Sequence, residues 1–350
     1  MRQKIARATI KEVASVAGVS TQTISRVINE RPDVSPETRK RVQEIIKQLG
    51  YRPSALARSL IQKRSYTLGV VTAGLKFIGP SRTLSGITSA AEKEGYSLLL
   101  KELSHFDTTA IPPIFQAFHD RHVDGVIWAV PEVGKNHDWI NHNALENGIP
   151  TVFLTMEPTE NILVVSIDNY LGGRIAVNHL FEQGYRHIGH VAGPMDWWEA
   201  QQRMVGWQDA LNDAKMKSEA NQWVEGNWSS ASGVEAIKKL FVQYPEMDSV
   251  FVGNDQMALG VLQVAAQNGL RVPDDLGIVG FDNIPESAYF SSPLTTIDQN
   301  QYEIGRVAVE QILKIIQSSS EGWESAKSNS FILSPTLIVR QSSVRPKEVR

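Results

Sequence analysis

The chain has 350 residues, 42% of them hydrophobic, enough for two or three compact units, and it has no cysteine, which excludes disulfides, thiolate catalysis and thiolate metal sites. No run approaches the roughly 18 consecutive apolar residues of a membrane span and the N-terminus is basic and polar, so a cytoplasmic protein with no membrane partner is expected. The net charge of -3 hides a division: residues 1–64 carry 14 Lys/Arg against 5 Asp/Glu and the remainder 21 against 33, the balance of a basic module for a polyanion on an acidic body, or of a solvated basic tail.

Thr9, followed three residues later by Glu12, forms a capping box, and Ile10, Val13, Ala14 and Ala17 follow at helical spacing, so a first helix runs to about Ala17. Gly18 frees the backbone for a tight turn, and Ser20 is a strong N-cap for a second helix through Thr21, Ile24, Ser25, Val27 and Ile28. Val13, Ala14, Val19, Ile24, Val27 and Ile28 can pack together, which leaves Thr21, Gln22, Thr23, Arg26 and Asn29 on the other side. Gln pairs bidentately with adenine, Arg with guanine or a phosphate, and Thr with many base edges, so this face suits a helix entering the major groove by its N-terminus. A third helix opens at Ser35-Pro36-Glu37, carries the stripe Val42, Ile45, Ile46 and Leu49, and ends at Gly50. Tyr51-Arg52-Pro53 leads into residues 54–60, good helix formers but fewer than the roughly 12 that hold a helix alone in water.

The run Thr9-Ile10-Lys11-Glu12-Val13-Ala14, the Ala17-Gly18-Val19-Ser20 turn, Thr23-Ile24-Ser25-Arg26-Val27-Ile28-Asn29 and Gly50-Tyr51-Arg52-Pro53 resemble the lactose/galactose repressor (LacI/GalR) family, and the likeness continues through nearly the whole chain. The resemblance implies that Ala57 and Leu60 belong to a hinge helix in the minor groove, where the paired leucines of a dimer wedge open a base step; the lesser alternative for Leu60 is a plain linker residue. The DNA-contacting set is then Thr9, Ser20, Thr21, Gln22, Thr23, Arg26, Asn29, Tyr51, Ala57 and Leu60, with residues 1–52 as helix-turn-helix domain and 53–65 as hinge and linker.

From Tyr66 onward apolar runs alternate with helical stretches. Strands are expected at Leu68–Thr72, Tyr96–Lys101, Gly125–Val130, Thr151–Leu154, Ile188–Ala192, Val250–Val252, Ile278–Phe281 and Leu337–Val339. Helices fit at about 84–94, 110–121, 170–183, 199–213, 231–243, 256–268 and 301–317. This alternation predicts parallel sheets covered by helices, in two lobes rather than one. The expected fold is therefore an N-terminal all-α helix-turn-helix head piece with a hinge helix, joined to an effector-binding and dimerisation domain of two α/β lobes over 66–345. For that domain the resemblance implies a periplasmic-binding-protein-like fold with crossovers near 166, 296 and 328.

Open α/β sheets bind ligands beyond the carboxyl ends of their strands, which directs attention to polar residues just after strands. Asn254 and Asp282 hold such positions, and Arg203 lies in the helix after the Ile188–Ala192 strand. A carboxylate, an amide and a forked guanidinium suit a polyol held without covalent chemistry. Each could instead serve as a cap or turn residue. Five of the eight tryptophans fall between Trp197 and Trp228, and aromatic faces pack against sugar CH surfaces. The resemblance assigns the same roles to Arg203, Asn254 and Asp282 and adds Trp228 to the pocket, although core packing remains open for any one tryptophan. Leu75, Phe77 and Pro80, after the first strand, are expected to close the cleft from the other lobe.

No Gly-x-Ser-x-Gly, phosphate loop, His-Glu-x-x-His or glycine-rich dinucleotide fingerprint occurs, so no enzyme, cofactor or metal is expected. His187 and His190 are read as structural and Asp168 as a helix cap. The expected protein is a homodimeric repressor of carbohydrate genes that binds a palindromic double-stranded operator and responds to a mono- or disaccharide. The alternatives are a sugar-binding module without DNA specificity, and a regulator answering a purine or a protein co-regulator.

Overall fold

The computed structural model describes residues 8–28, 31–51, 64–106, 111–141, 148–318 and 330–345. Contacts divide the chain into two compact units, residues 1–66 and 67–350. In the first, α1 (Ile10–Ala17), α2 (Thr21–Ile28) and α3 (Pro36–Gln48) pack around Val13, Ala14, Ile24, Val27 and Val42. The capping box is formed, with the Glu12 amide donating to Thr9 Oγ1 at 3.3 Å and the Thr9 amide donating to Glu12 Oε2 at 2.6 Å. Gly18 turns the chain at φ 63°, a left-handed conformation that a residue without Cβ adopts freely.

The second unit holds two six-stranded sheets. β1 (Thr67–Ala73), β2 (Ser97–Leu103), β3 (Gly125–Ala129), β4 (Thr151–Leu154), β5 (Leu163–Ile167) and β11 (Phe331–Leu333) form the first, in the order β11-β5-β4-β3-β1-β2, all parallel. β6 (Ile188–Ala192), β7 (Trp223–Glu225), β8 (Ser249–Val252), β9 (Gly277–Phe281), β10 (Thr295–Asp298) and β12 (Thr336–Ile338) form the second, in the order β12-β10-β9-β8-β6-β7, parallel except for β12. β3, β4, β5, β6, β8 and β9 are buried at every position, as strands covered on both faces must be.

The helices are α4 (Ile78–Lys93), α5 (Ile111–His119), α6 (Asn169–Glu182), α7 (Trp198–Asp213), α8 (Ser230–Gln243), α9 (Asp255–Gln267) and α10 (Gln301–Gln317). The chain leaves the first sheet after Ile167, returns through α10 after Asp298, and crosses again between Leu333 and Thr336. The first two passages fall close to the expected positions; the third comes later than 328, which lies outside the described residues. α4 starts six residues before the expected 84, because Pro80 sits in its first turn, where no backbone donor is needed. β5, β7, β10 and β11 were not expected from the sequence. β7 and β11 are only three residues long, too short for a periodic signal.

α6 and α7 cross at paired glycines. A Cβ on Gly206 would stand 2.2 Å from the Tyr170 carbonyl, and one on Gly173 would stand 2.5 Å from that of Arg203. Backbone cannot yield as a side-chain tip does, so Gly206→Ala is expected to lose about 1–3 kcal/mol of stability, read as a lower thermal or urea midpoint of the intact chain. Unfolding indistinguishable from wild type would show that the two helices have room to separate.

Candidate functional site

In the head piece α2 presents one polar face. Ile24 and Val27 are buried, whereas Thr21, Gln22 and Arg26 are exposed and Thr23 is half-buried. Ser20 caps the helix, accepting from the Thr23 amide at 3.0 Å, and its hydroxyl lies 3.0 Å from that of Thr23. Arg26 pairs with Asp33 at 3.4 Å, an exposed ion pair too weak to withhold the guanidinium from another partner. Thr9 and Ser20 are exposed but already spend an oxygen on capping. Tyr51 is half-buried against the head-piece core, where it serves packing. Asn29, Ala57 and Leu60 lie outside the described residues.

The cleft of the second unit lies beyond the carboxyl ends of both sheets and encloses about 700 Å³ of empty space, its open mouth included. Phe77, Pro80 and Thr83 of the β1–α4 connection and α4, with Pro131 and Thr155 after β3 and β4, line one side. Trp197 and Glu199 at the start of α7, Arg203 one turn later, Trp228, Asn254, Asp282 and Gln299 line the other. In each sheet the strand order reverses beside this cleft, at β3-β1-β2 and β8-β6-β7, and such switch points leave room for a ligand.

Arg203 is 3% exposed. Its Nε donates to Asn169 Oδ1 at 2.9 Å and its Nη1 to the Gly253 carbonyl at 2.6 Å, while the guanidinium lies 3.8 Å over the Phe281 ring. Asp282 is 7% exposed and follows β9 at φ 116°, a strained conformation for a residue with Cβ. That turn is held by its amide donating to the Ile297 carbonyl at 2.8 Å, and by Arg82 donating to the carbonyls of Asp282 and Asn283, both at 3.2 Å. The Asp282 carboxylate accepts from Gln299 Nε2. Burial pushes it up to about 6, against the downward pull of Arg203, Gln299 and Arg82. Behind it, burial and then the Asp282 charge push Asp255 up to about 8, while its oxygens accept from Thr296 Oγ1 at 2.6 Å and the Ile284 amide at 2.9 Å.

Aromatic rings form one wall. Trp197 meets Trp228 edge-on at 5.7 Å, Phe106 at 4.8 Å and Phe77 at 6.1 Å. Trp228 occupies the space that a side chain on Gly193 would need, with ring carbons 2.0 Å from where its Cβ would be. The cleft is also bridged by main chain, with the Gly134 amide donating to the Asp196 carbonyl at 2.7 Å and the Trp198 amide to that of Glu132 at 3.2 Å.

Residues 9–54 match bacterial regulatory proteins of the lacI family, and residues 177–343 match a periplasmic binding protein-like domain. The chain is 32% identical over 335 residues to the HTH-type transcriptional repressor PurR of Haemophilus influenzae strain PittEE, covering 96% of this chain and 98% of that one. It is equally 32% identical, over 336 residues, to a ribose operon repressor of H. influenzae, with the same coverage. The crystal structure of the Lac repressor dimer bound to operator and the anti-inducer ONPF superposes with a TM-score of 0.82 at 30% identity, over 97% of this chain and 99% of that one. The chain belongs to the lacI family.

As a lacI-family protein it is a DNA-binding transcription regulator with a helix-turn-helix head and a two-sheet α/β body. The body brings together six of the seven residues singled out for the effector: Phe77, Pro80, Arg203, Trp228, Asn254 and Asp282. Leu75 is the exception. The Phe77 amide donates to the Gly74 carbonyl at 2.8 Å, and the resulting turn sets Leu75 in a separate depression with Glu102 and His105. Asn254 reaches the cleft but is largely spent. Its Oδ1 caps α9 by accepting from the Met257 amide at 2.9 Å, and its Nδ2 donates to the Trp228 carbonyl at 3.0 Å and to Gln256 Oε1 at 2.9 Å. Glu199, Gln299 and Gln301 were missed. Glu199 precedes Arg203 by four residues, a helical spacing that could have revealed it, whereas Gln299 and Gln301 depend on the unrecognised strand β10. His190 is fully buried between the rings of Trp207 and Phe251, and burial lowers it to about 4. Asp168 caps α6, accepting from the Leu171 amide at 2.7 Å.

The raised Asp282 carboxyl carries a pH consequence. Between its unfolded value near 4 and its folded value of about 6 the native state holds more protons than the unfolded chain, so ligand-free stability falls as pH rises through that window and stays lower above it. Asp282→Asn removes the penalty. The ligand-free variant is expected to melt above wild type at pH 7.5, by an amount on the order of 2 kcal/mol that shrinks toward pH 4. A variant melting at or below wild type at pH 7.5 would contradict this assignment.

Proposed function

We propose that the protein is an operator-binding repressor that acts as a dimer and takes a small polyhydroxy effector of the mono- or disaccharide kind in the interlobe cleft. The observation that carries the effector class is the cleft itself, where the aromatic rings of Trp197, Trp228 and Phe77 line the same space as buried carboxylate, guanidinium and amide groups. Flat apolar faces suit sugar CH surfaces, and paired donors and acceptors suit hydroxyls. The polar face of α2 reads base edges in the major groove through Thr21, Gln22, Thr23 and Arg26, and Asn29 belongs to the same contact set. In this reading Ala57 and Leu60 act in the minor groove. Effector and operator affinities are coupled by about 1–3 kcal/mol. A purine effector is the second reading, favoured by the likeness to a PurR repressor, which is no closer in identity than the ribose operon repressor.

Two measurements test the proposal. Selection from random duplexes by the intact chain is expected to enrich a palindrome bound at least about 1,000-fold more tightly than random sequence at physiological salt. Arg26→Ala should weaken that specific binding by about 1–3 kcal/mol. Absence of any enriched palindrome removes the sequence-specific reading. In a thermal-shift screen, sugars should raise the midpoint of wild type but not of Asp282→Ala, whereas a shift by purine bases alone would replace the sugar reading with the purine one.

A further inference from the structure

Glu199 has no place in the effector set discussed above, yet it lines the cleft from the first turn of α7, one helical turn before Arg203. Its carboxylate makes no hydrogen bond within the described residues. Asp282 supplies a second carboxylate, already accepting from Gln299. The only cationic side chain lining the cleft among the described residues is Arg203, and two of its donors are turned inward, to Asn169 and Gly253. Formal charge at the cleft therefore runs to two carboxylates against one guanidinium. Arg82, the nearest further cation, points its Nη1 at the carbonyls of Asp282 and Asn283 and at Gln301 Oε1.

Two buried donors complete the inventory. Gln301 is 4% exposed and lines the cleft, and its Nε2 has no hydrogen-bond partner. Trp228 is 7% exposed, also lines the cleft, and its Nε1 is likewise unpartnered. Unsatisfied buried donors carry a desolvation cost that a ligand oxygen can relieve. The complementary molecule must offer acceptors to Trp228 and Gln301 and donors to Glu199 and Asp282, and a hydroxyl does both. A phosphate or carboxylate offers acceptors only. It would also bring a third negative charge into a cleft with one largely committed guanidinium, and like charges in a desolvated site repel strongly.

We infer that Glu199 is a specificity-determining residue, which with Asp282 restricts the cleft to effectors carrying no anionic group: free polyhydroxy ligands are accepted and their phosphorylated or carboxylated forms are refused. This rests on the cleft being the effector site and deepens the proposed sugar class. Glu199 accepts from ligand hydroxyls beside the aromatic wall, while Asp282 accepts on the side of β9.

The test is isothermal titration of the intact chain with matched pairs: mono- and disaccharides against their 6-phosphates, and purine bases against their nucleoside monophosphates. The free member of whichever pair binds is expected to bind at least about 100-fold more tightly than its phosphate. Glu199→Gln, which keeps the shape and an acceptor, is expected to weaken the free member by about 10-fold and to narrow the gap to the phosphate, with a ligand-free melting temperature no lower than that of wild type. A phosphorylated ligand binding as well as its parent overturns the inference, and this arm needs no variant. So does a folded Glu199→Gln chain that binds the parent as wild type does. Binding by purine bases with no binding by sugars fails the sugar reading alone, and the charge rule is then decided on the base and nucleotide pair. If no pair binds, both fall.

Discussion

A buried guanidinium has to be neutralised and hydrogen-bonded where it stands, and Arg203 imposes that condition on the elements around it. Its Nε and Nη1 bonds reach Asn169 at the start of α6 and the Gly253 carbonyl after β8, so the fork joins the entry of the chain into the second lobe to the switch point of the second sheet. Its planar face covers Phe281, the last residue of β9. Burial alone pulls Arg203 downward, and the charges of Glu199, Asp282 and Asp255 oppose that pull. The acids are raised by the same burial, so the group as a whole is held by mutual compensation rather than by one tight ion pair. Stability and recognition oppose each other here, because the ionised carboxylate that would serve a ligand is the one that burial disfavours.

The two sheets explain why the compensation is arranged around a void. Parallel strands direct their carboxyl ends, and the polar residues that follow them, to one edge of each sheet. The chain crosses three times between the sheets, so loops from both lobes meet across the same space. Arg82 of α4 grips the strained Asp282 turn from the opposite lobe, and Gln301 receives one of its bonds. Residues 132–134 and 196–198 close the far side through main-chain hydrogen bonds that depend little on side-chain identity. The position of Asp282 is thus a property of both lobes together.

Much of this was legible residue by residue. The helix-turn-helix follows from local rules, since the Thr9 box, the Gly18 turn, the Ser20 cap and the stripe of Val13, Ile24 and Val27 all act within a few positions. Phe77 and Asp282 line the cleft because they follow strands whose carboxyl ends meet there, and Arg203 lines it from α7. Other features depend on contacts that the sequence does not display. Asn254 lines the cleft and also takes the cap role that its place before a helix left open, while its bond to the Trp228 carbonyl, 26 residues away, has no signal in the spacing. Leu75 was set apart by a turn whose shape depends on the Gly74 carbonyl, and Tyr51 packs half-buried against the head-piece core. Gln299 and Gln301 follow a strand whose neighbours β9 and β12 come from separate stretches of chain.

Sequence by itself determined the elements whose signals are local: the three head-piece helices with their caps, the buried strands with uninterrupted apolar runs, the division of charge between head and body, and membership of a family defined by short motifs. Tertiary structure alone decided which polar groups of the cleft-lining residues are already satisfied and which are not. Glu199, Trp228 Nε1 and Gln301 Nε2 are distinguished from Asn254 only by the partners they lack. The Met257 and Gln256 partners of Asn254 are local, but its Trp228 partner and the lining of the cleft around Gln301 come from residues tens to hundreds of positions apart, which no local pattern encodes.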